Sequence, residues 1–260
     1  MQEANCTARS PTQLEYSIHD DLRLGVGVNI YVGQTRSAAL IARLAALGIG
    51  ECTNRGQLPP RRRPFFVDNA AFADFKAKRP FNFVRWTRDL SWMVQRDIVP
   101  DFIVLPDRVA GGIDSLNLSL DWRVMVPPEL DDRCYLVVQD GMRIADVEPF
   151  VAELAGLFVG GTLPWKLETG AAWAELAHRH GRKCHIGRVG TPRRVRWAFE
   201  SGADSIDSSL PLRNAVHLEP FLDAVEPILR PPGRAGDFGR ARAILSVHSV
   251  RTMRRGVKRL

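Results

Sequence analysis

CHIGRVGTPRRVRWAFESGADSID, residues 184–207, contains a complete strand–helix–strand unit. Cys184, His185 and Ile186 read as a short strand. Thr191 can cap the free N–H groups of a helix, and Pro192 fits its first position, where a missing N–H costs nothing. Helical spacing then runs to Ser201. Gly202 closes the helix, because glycine readily takes the left-handed conformation that follows a last turn. Ser205 and Ile206 read as the next strand, with Asp207 directly after it.

The same alternation extends toward the N-terminus. Strand-like runs lie at 24–32, 64–67, 102–105, 135–138 and 157–159, and helical spacing at 37–47, 84–98 and 173–180. Strands alternating with helices imply parallel pairing through right-handed crossovers. Seven strands in 260 residues suit an α/β chain of the TIM-type (β/α)8 barrel better than an open doubly wound sheet. The eighth strand is ambiguous, with residues 243–247 as the candidate, so the barrel is expected either complete or distorted and incomplete. The expected organisation is a flexible arm over 1–20, the barrel over 21–230, and a basic tail over 231–260 that opens with a Pro- and Gly-rich segment.

Charge points to the partner. The net charge is +7, and the stretch from Arg230 to Leu260 holds nine Lys or Arg residues, Arg254 and Arg255 among them, against the single acid Asp237. A second cluster comprises Arg61, Arg62, Arg63, Lys76, Lys78 and Arg79. Any one such cluster is ordinary solvated surface. Two of them on a basic protein favour a polyanion, because phosphate contacts release counterions and give affinity that does not depend on sequence. No apolar run approaches the ~20 residues of a membrane span, so no membrane partner is expected. Residues 1–19 are polar and carry no apolar signal segment, which makes a cytoplasmic location the expectation. The cysteines, Cys6, Cys52, Cys134 and Cys184, stand singly, so neither a disulfide nor a metal site is expected.

In a parallel barrel, chemistry gathers where the strands end and the βα loops begin. Asp68 follows PFFV, Asp107 follows FIVLP, Gln139 follows YLVV, Gly160 and Gly161 follow LFV, and Asp207 follows DSI. Taken singly, each reads better as a cap or loop residue. Together, three carboxylates and an amide at equivalent strand ends converge on one mouth. Asp107 and Gln139 could hydrogen-bond the edge of a flat heterocycle, with Phe72 against its face. A carboxylate pair can run glycosyl transfer, one attacking the anomeric carbon and the other moving the proton. Such chemistry needs no cofactor. His185 reads as a strand residue, Trp86 and Trp92 as packing, and Trp165 and Lys166 as neighbours of the mouth.

Residues 187–213, GRVGTPRRVRWAFESGADSIDSSLPLR, resemble the tRNA-guanine transglycosylases, in which GVGTP opens a helix and a later G-x-D-x-x-D-x-x-x-P-x-R run carries the nucleophile. Here that run is Gly202, Asp204, Asp207, Pro211 and Arg213. The resemblance implies that Asp207 bonds covalently to the sugar and that Arg213 lies near the nucleic-acid backbone. DNAAF, residues 68–72, resembles the family's D-S-G-G-[FY], which implies Asp68 as general acid/base and Phe72 as the aromatic stacked on the base. Asp107 matches the aspartate that reads the guanine edge, and Gln139 the glutamine of a V-Q-G segment. AGLFVGG, residues 155–161, resembles G-G-L-A-V-G-E, which brings Gly156, Leu157, Gly160 and Gly161 to the base, with the Gly156 N–H turned toward it.

The family's C-x-C-x-x-C…H zinc site has no counterpart in the sequence, and Gly161 stands where bacterial members have a glutamate that accepts an aminomethyl base. Both departures resemble the small phage-type relatives that insert 7-deazaguanines into DNA. The resemblance thus implies exchange of DNA guanine for a free 7-deazaguanine base such as 7-cyano-7-deazaguanine, in the host cytoplasm if the chain is phage-encoded. The alternatives are the same exchange on tRNA, hydrolysis by a glycosylase, and a non-catalytic nucleic-acid-binding barrel.

Overall fold

The computed structural model describes residues 27–229. Eight strands close a parallel barrel in chain order: β1 (Asn29–Gly33), β2 (Gly50–Asn54), β3 (Phe65–Asp68), β4 (Ile103–Val104), β5 (Cys134–Val138), β6 (Gly156–Val159), β7 (Lys183–Ile186) and β8 (Ser205–Ser208). β8 returns to β1, with Asp207 beside Tyr31. The helices are α1 (Ala38–Ala46), α2 (Ala71–Lys76), α3 (Phe83–Val94), α4 (Ile113–Arg123), α5 (Ile144–Val151), α6 (Leu163–Arg179), α7 (Pro192–Glu200), α8 (Leu210–Arg213) and α9 (Leu218–Leu229). The chain is a TIM-type (β/α)8 barrel. Closure is complete without residues 243–247. Those residues, the arm, the tail, Arg254 and Arg255 all lie outside the described residues.

The strand missing from the sequence reading is β2. Its sequence GECTN lacks a β-branched apolar run, and its Glu51 is fully buried. Arg62 explains this. The Arg62 guanidinium lies 3.5 Å from the Glu51 carboxylate, with both side chains shut off from solvent. The other Glu51 oxygen accepts from the Gln34 amide, the Thr53 hydroxyl and the Arg61 N–H. Arg62 in turn donates to the carbonyls of Val32 and Gly33. A buried charge is tolerated only when paired and hydrogen-bonded in this way. The same segment departs from strict alternation: residues 55–64 join β2 to β3 with no helix, while α2 and α3 both fall between β3 and β4.

Strand residues alternate between two cores, as a period of two requires. Ile30, Val32, Val67, Leu136, Val138, Leu157 and Ile206 face the helices. There α3 contributes Trp86, Leu90 and Met93 at i, i+4 and i+7, each fully buried and worth roughly 1.5–3 kcal/mol of transfer free energy. Tyr31, Cys52, Phe66, Phe102, Val104, Tyr135, Val137 and Phe158 fill the barrel interior. Phe66 stacks on Phe102 at 4.4 Å and Phe102 on Tyr135 at 4.0 Å, so the interior is a solid aromatic column and not a pore. The strand–helix–strand unit at 184–207 forms as read. The Thr191 hydroxyl accepts from the Arg194 N–H at 3.4 Å, Pro192 opens α7, and Gly202 follows its end at φ 83°.

Candidate active site

The aromatic column ends below the C-terminal ends of the strands, and the polar residues begin there. The structure brings Asp68, Asp107, Gln139, Gly160, Gly161 and Asp207 to this one end, each at or just beyond its strand. Asp207 points into the barrel from β8, level with Tyr31 of β1. Its Oδ1 accepts from His185 Nε2 at 3.1 Å and from the Arg188 N–H at 3.2 Å. Its Oδ2 makes no hydrogen bond with the described residues. One carboxylate oxygen is therefore anchored and the other is not.

Asp68 is half-buried at the end of β3. Its Oδ1 accepts from the Ala70 N–H at 2.6 Å, which helps hold Ala70 in the left-handed conformation that starts α2. Burial pushes the Asp68 carboxyl up to about 7, the nearby Asp207 and Asp107 add to this, and the Ala70 N–H and Arg55 oppose it. A carboxyl titrating there can both give and take a proton near neutral pH. Asp107 is pushed up to about 6, again mainly by burial, against hydrogen bonds from Asn69 at 2.8 Å and Gln139 at 3.3 Å.

Gln139 is fully buried and its amide is engaged by the protein. It accepts from the Ala110 N–H at 2.7 Å and donates to the Arg108 carbonyl and the Ser115 hydroxyl. It fixes the loop after β4 and helps hold Asp107, which is itself buried, in place.

Arg188 crosses the mouth. Its backbone follows β7 at φ 62°, its guanidinium donates to the Gly161 carbonyl beyond β6, and the same guanidinium lies 4.8 Å from the centre of the Phe72 ring. Phe72, on α2, is 44% exposed. Gly161 has φ 68°, and a Cβ there would meet Asp140 Oδ2 at 2.5 Å and the Trp165 ring at 2.7 Å. Lys166, in the first turn of α6, is buried and donates to the Gly187 carbonyl. Burial, then Arg188, push its amine down to about 7, while Asp207 pulls the other way.

Other expected residues lie elsewhere. Gly156 is the first residue of β6, at the end opposite the mouth, where a Cβ would run into the Lys183 carbonyl and the Tyr135 ring. Leu157 faces the helix layer. Neither reaches the site, because the matched segment begins one strand length too early. Arg62 is the buried partner of Glu51, not a surface cation. Arg61 and Arg63 are exposed, but they sit on the connection leading to the N-terminal end of β3, and Arg63 lies over Phe65. Arg213 is exposed at the end of α8, beyond Asp207.

Sequence reasoning missed His185, Asn69 and Arg188. The one available signal was position: Asn69 and Arg188 stand within two residues of a strand end, and His185 is inward by the same parity as Asp207 across β7 and β8. Among the described residues no group of three or more His, Cys, Asp or Glu is arranged to hold a metal ion, and no helix is long and apolar enough to cross a membrane.

A closed (β/α)8 barrel whose strand ends gather carboxylates of raised pKa over a filled interior has the architecture of an enzyme. In comparisons with known proteins, no family model and no curated protein matches the chain.

Proposed function

We propose that this protein is a DNA guanine transglycosylase that exchanges guanine for a 7-deazaguanine base, such as 7-cyano-7-deazaguanine, through a covalent glycosyl-aspartate. The observation that carries the reading is the division of labour between two carboxylates at one mouth. Asp207 has one oxygen anchored by two N–H donors and one free. Asp68 titrates near 7 and so can move a proton. In this reading Asp207 Oδ2 attacks C1′ of a flipped nucleotide, the C1′–N9 bond breaks, and the departing guanine takes a proton from Asp68. The incoming base then gives its N9 proton to Asp68 as N9 bonds to C1′ and the C1′–Oδ2 bond breaks. Two inversions give net retention. Asp107 offers a hydrogen-bonding edge and Phe72 a stacking face. Arg213 and the excess of positive charge favour a polyanionic partner.

The test is incorporation of labelled guanine into matched DNA and tRNA substrates, with wild type beside Asp207→Asn. Label entering DNA alone, and only with Asp207 intact, is the expected result. Label entering tRNA keeps the chemistry and overturns the substrate. Abasic product without added base means hydrolysis, and an active Asp207→Asn overturns the mechanism.

A further inference from the structure

His185 is fully buried inside the barrel, among rings that need no imidazole. Its ring stacks on Phe158 at 4.6 Å and lies 5.1 Å from Phe66 and 5.2 Å from Phe102. A phenyl ring would pack there without a desolvation penalty, whereas an imidazole must find partners for both nitrogens. It finds them. Nδ1 is 2.8 Å from the Ser205 hydroxyl, and Nε2 is 3.1 Å from Asp207 Oδ1.

The partners fix the tautomer. A carboxylate can only accept, so the ring proton sits on Nε2; Nδ1 must then accept, and the Ser205 hydroxyl donates. Burial holds the ring below the ordinary histidine range, which keeps it neutral with a single ring proton. Ser205 and Asp207 lie on the same strand and face, two residues apart, and His185 pairs directly beside Ser205 across the sheet. The three groups therefore form a rigid line from the interior to the mouth.

Resting on the reading of Asp207 as nucleophile, we infer that His185 is a positioning residue, locked by Ser205, that pins Asp207 Oδ1 so that Oδ2 is the attacking oxygen. Without the Nε2 donor the carboxylate can rotate about its Cβ–Cγ bond, held only by the Arg188 N–H. Misplacement on the scale of an ångström costs about 10²-fold in rate while leaving substrate binding alone.

The test combines kinetics with the state of the ring. His185→Leu should form the covalent adduct about 10²-fold more slowly in single turnover, with DNA and free-base affinities within about threefold of wild type. His185→Gln, which returns an N–H donor toward Asp207, should recover to within about tenfold. Ser205→Ala should fall between them, because it frees the tautomer. ¹⁵N NMR of the His185 ring in the wild-type protein should show the proton on Nε2, and the shift should move in Asp207→Asn. A ring protonated on Nδ1, a His185→Leu variant with wild-type adduct formation, or losses that track thermal stability and are not rescued by glutamine each overturn the inference. Wild type with the expected tautomer and no adduct at Asp207 locates the failure in the functional reading, and the inference falls with it.

Discussion

Arg62→Met should cost the barrel several kcal/mol and leave nucleic-acid affinity close to that of wild type. The guanidinium and the Glu51 carboxylate are 3.5 Å apart and shut off from water. At an effective dielectric constant near 20, that separation corresponds to about 5 kcal/mol of attraction. Removing one partner strands the other as a buried charge, which typically costs about 3–5 kcal/mol. Glu51 keeps three hydrogen bonds on Oε1, which places the expectation toward the lower half of that range. For a domain of this size each kcal/mol moves the midpoint by about 2–4 °C, so a drop of roughly 6–16 °C is expected. The assay is thermal unfolding followed by circular dichroism, alongside DNA binding by fluorescence anisotropy below the transition. Glu51→Gln combined with Arg62→Met should recover most of the loss, because no charge is then left unpaired. An Arg62→Met variant of unchanged midpoint with markedly weaker DNA binding would refute the structural assignment and return Arg62 to the nucleic-acid surface.

Two further outcomes follow from the mouth. Asp68→Asn should stabilise the protein at pH 8 by on the order of 2–4 kcal/mol and have no effect below about pH 4. The folded carboxyl keeps its proton to about pH 7 while the unfolded one releases it near 4, so stability falls as pH rises through that window. Urea unfolding at both pH values checks the sign, and equal effects at the two would dismiss a raised carboxyl. Phe72→Ala should leave stability within about 0.5 kcal/mol, since the ring is exposed, yet weaken free-base binding by about 5-fold, the low end of base–aromatic stacking, because the Arg188 guanidinium already covers one face of the ring. Isothermal titration of a 7-deazaguanine reads this directly, and unchanged affinity would remove Phe72 from the base site.

The fold was legible wherever local signals agreed with one another. Thr191, Pro192 and Gly202 each marked α7 by their own backbone chemistry, and the strands on either side of it put Cys184, Ile186 and Ile206 on the face that packs against the helices. β2 was not legible, because its charge is neutralised by a residue eleven positions later in a non-helical connection, and pairing across a loop leaves no period in the sequence. The carboxylates of the mouth stood out because strand ends are local features. His185 did not, since a histidine inside a short strand reads as a strand residue until its two neighbours on β8 are known. Gly156 and Leu157 were misplaced because a short motif matches letters without fixing where along a strand they fall.

Arg188 gives the mouth a further property. The ring of Phe72 already carries a planar cation, held there from the far side of the barrel by the Gly161 carbonyl. A flat ligand that stacks on the face of Phe72 covered by Arg188 therefore enters by substitution and not by addition, with the guanidinium as the outgoing group. Its measured affinity is a difference between two stacked states, so a ligand of strong intrinsic stacking can register as a weak binder. The displaced guanidinium, hinged on a backbone that stays bonded to Asp207, keeps its positive charge within a side chain's length of whatever has taken its place.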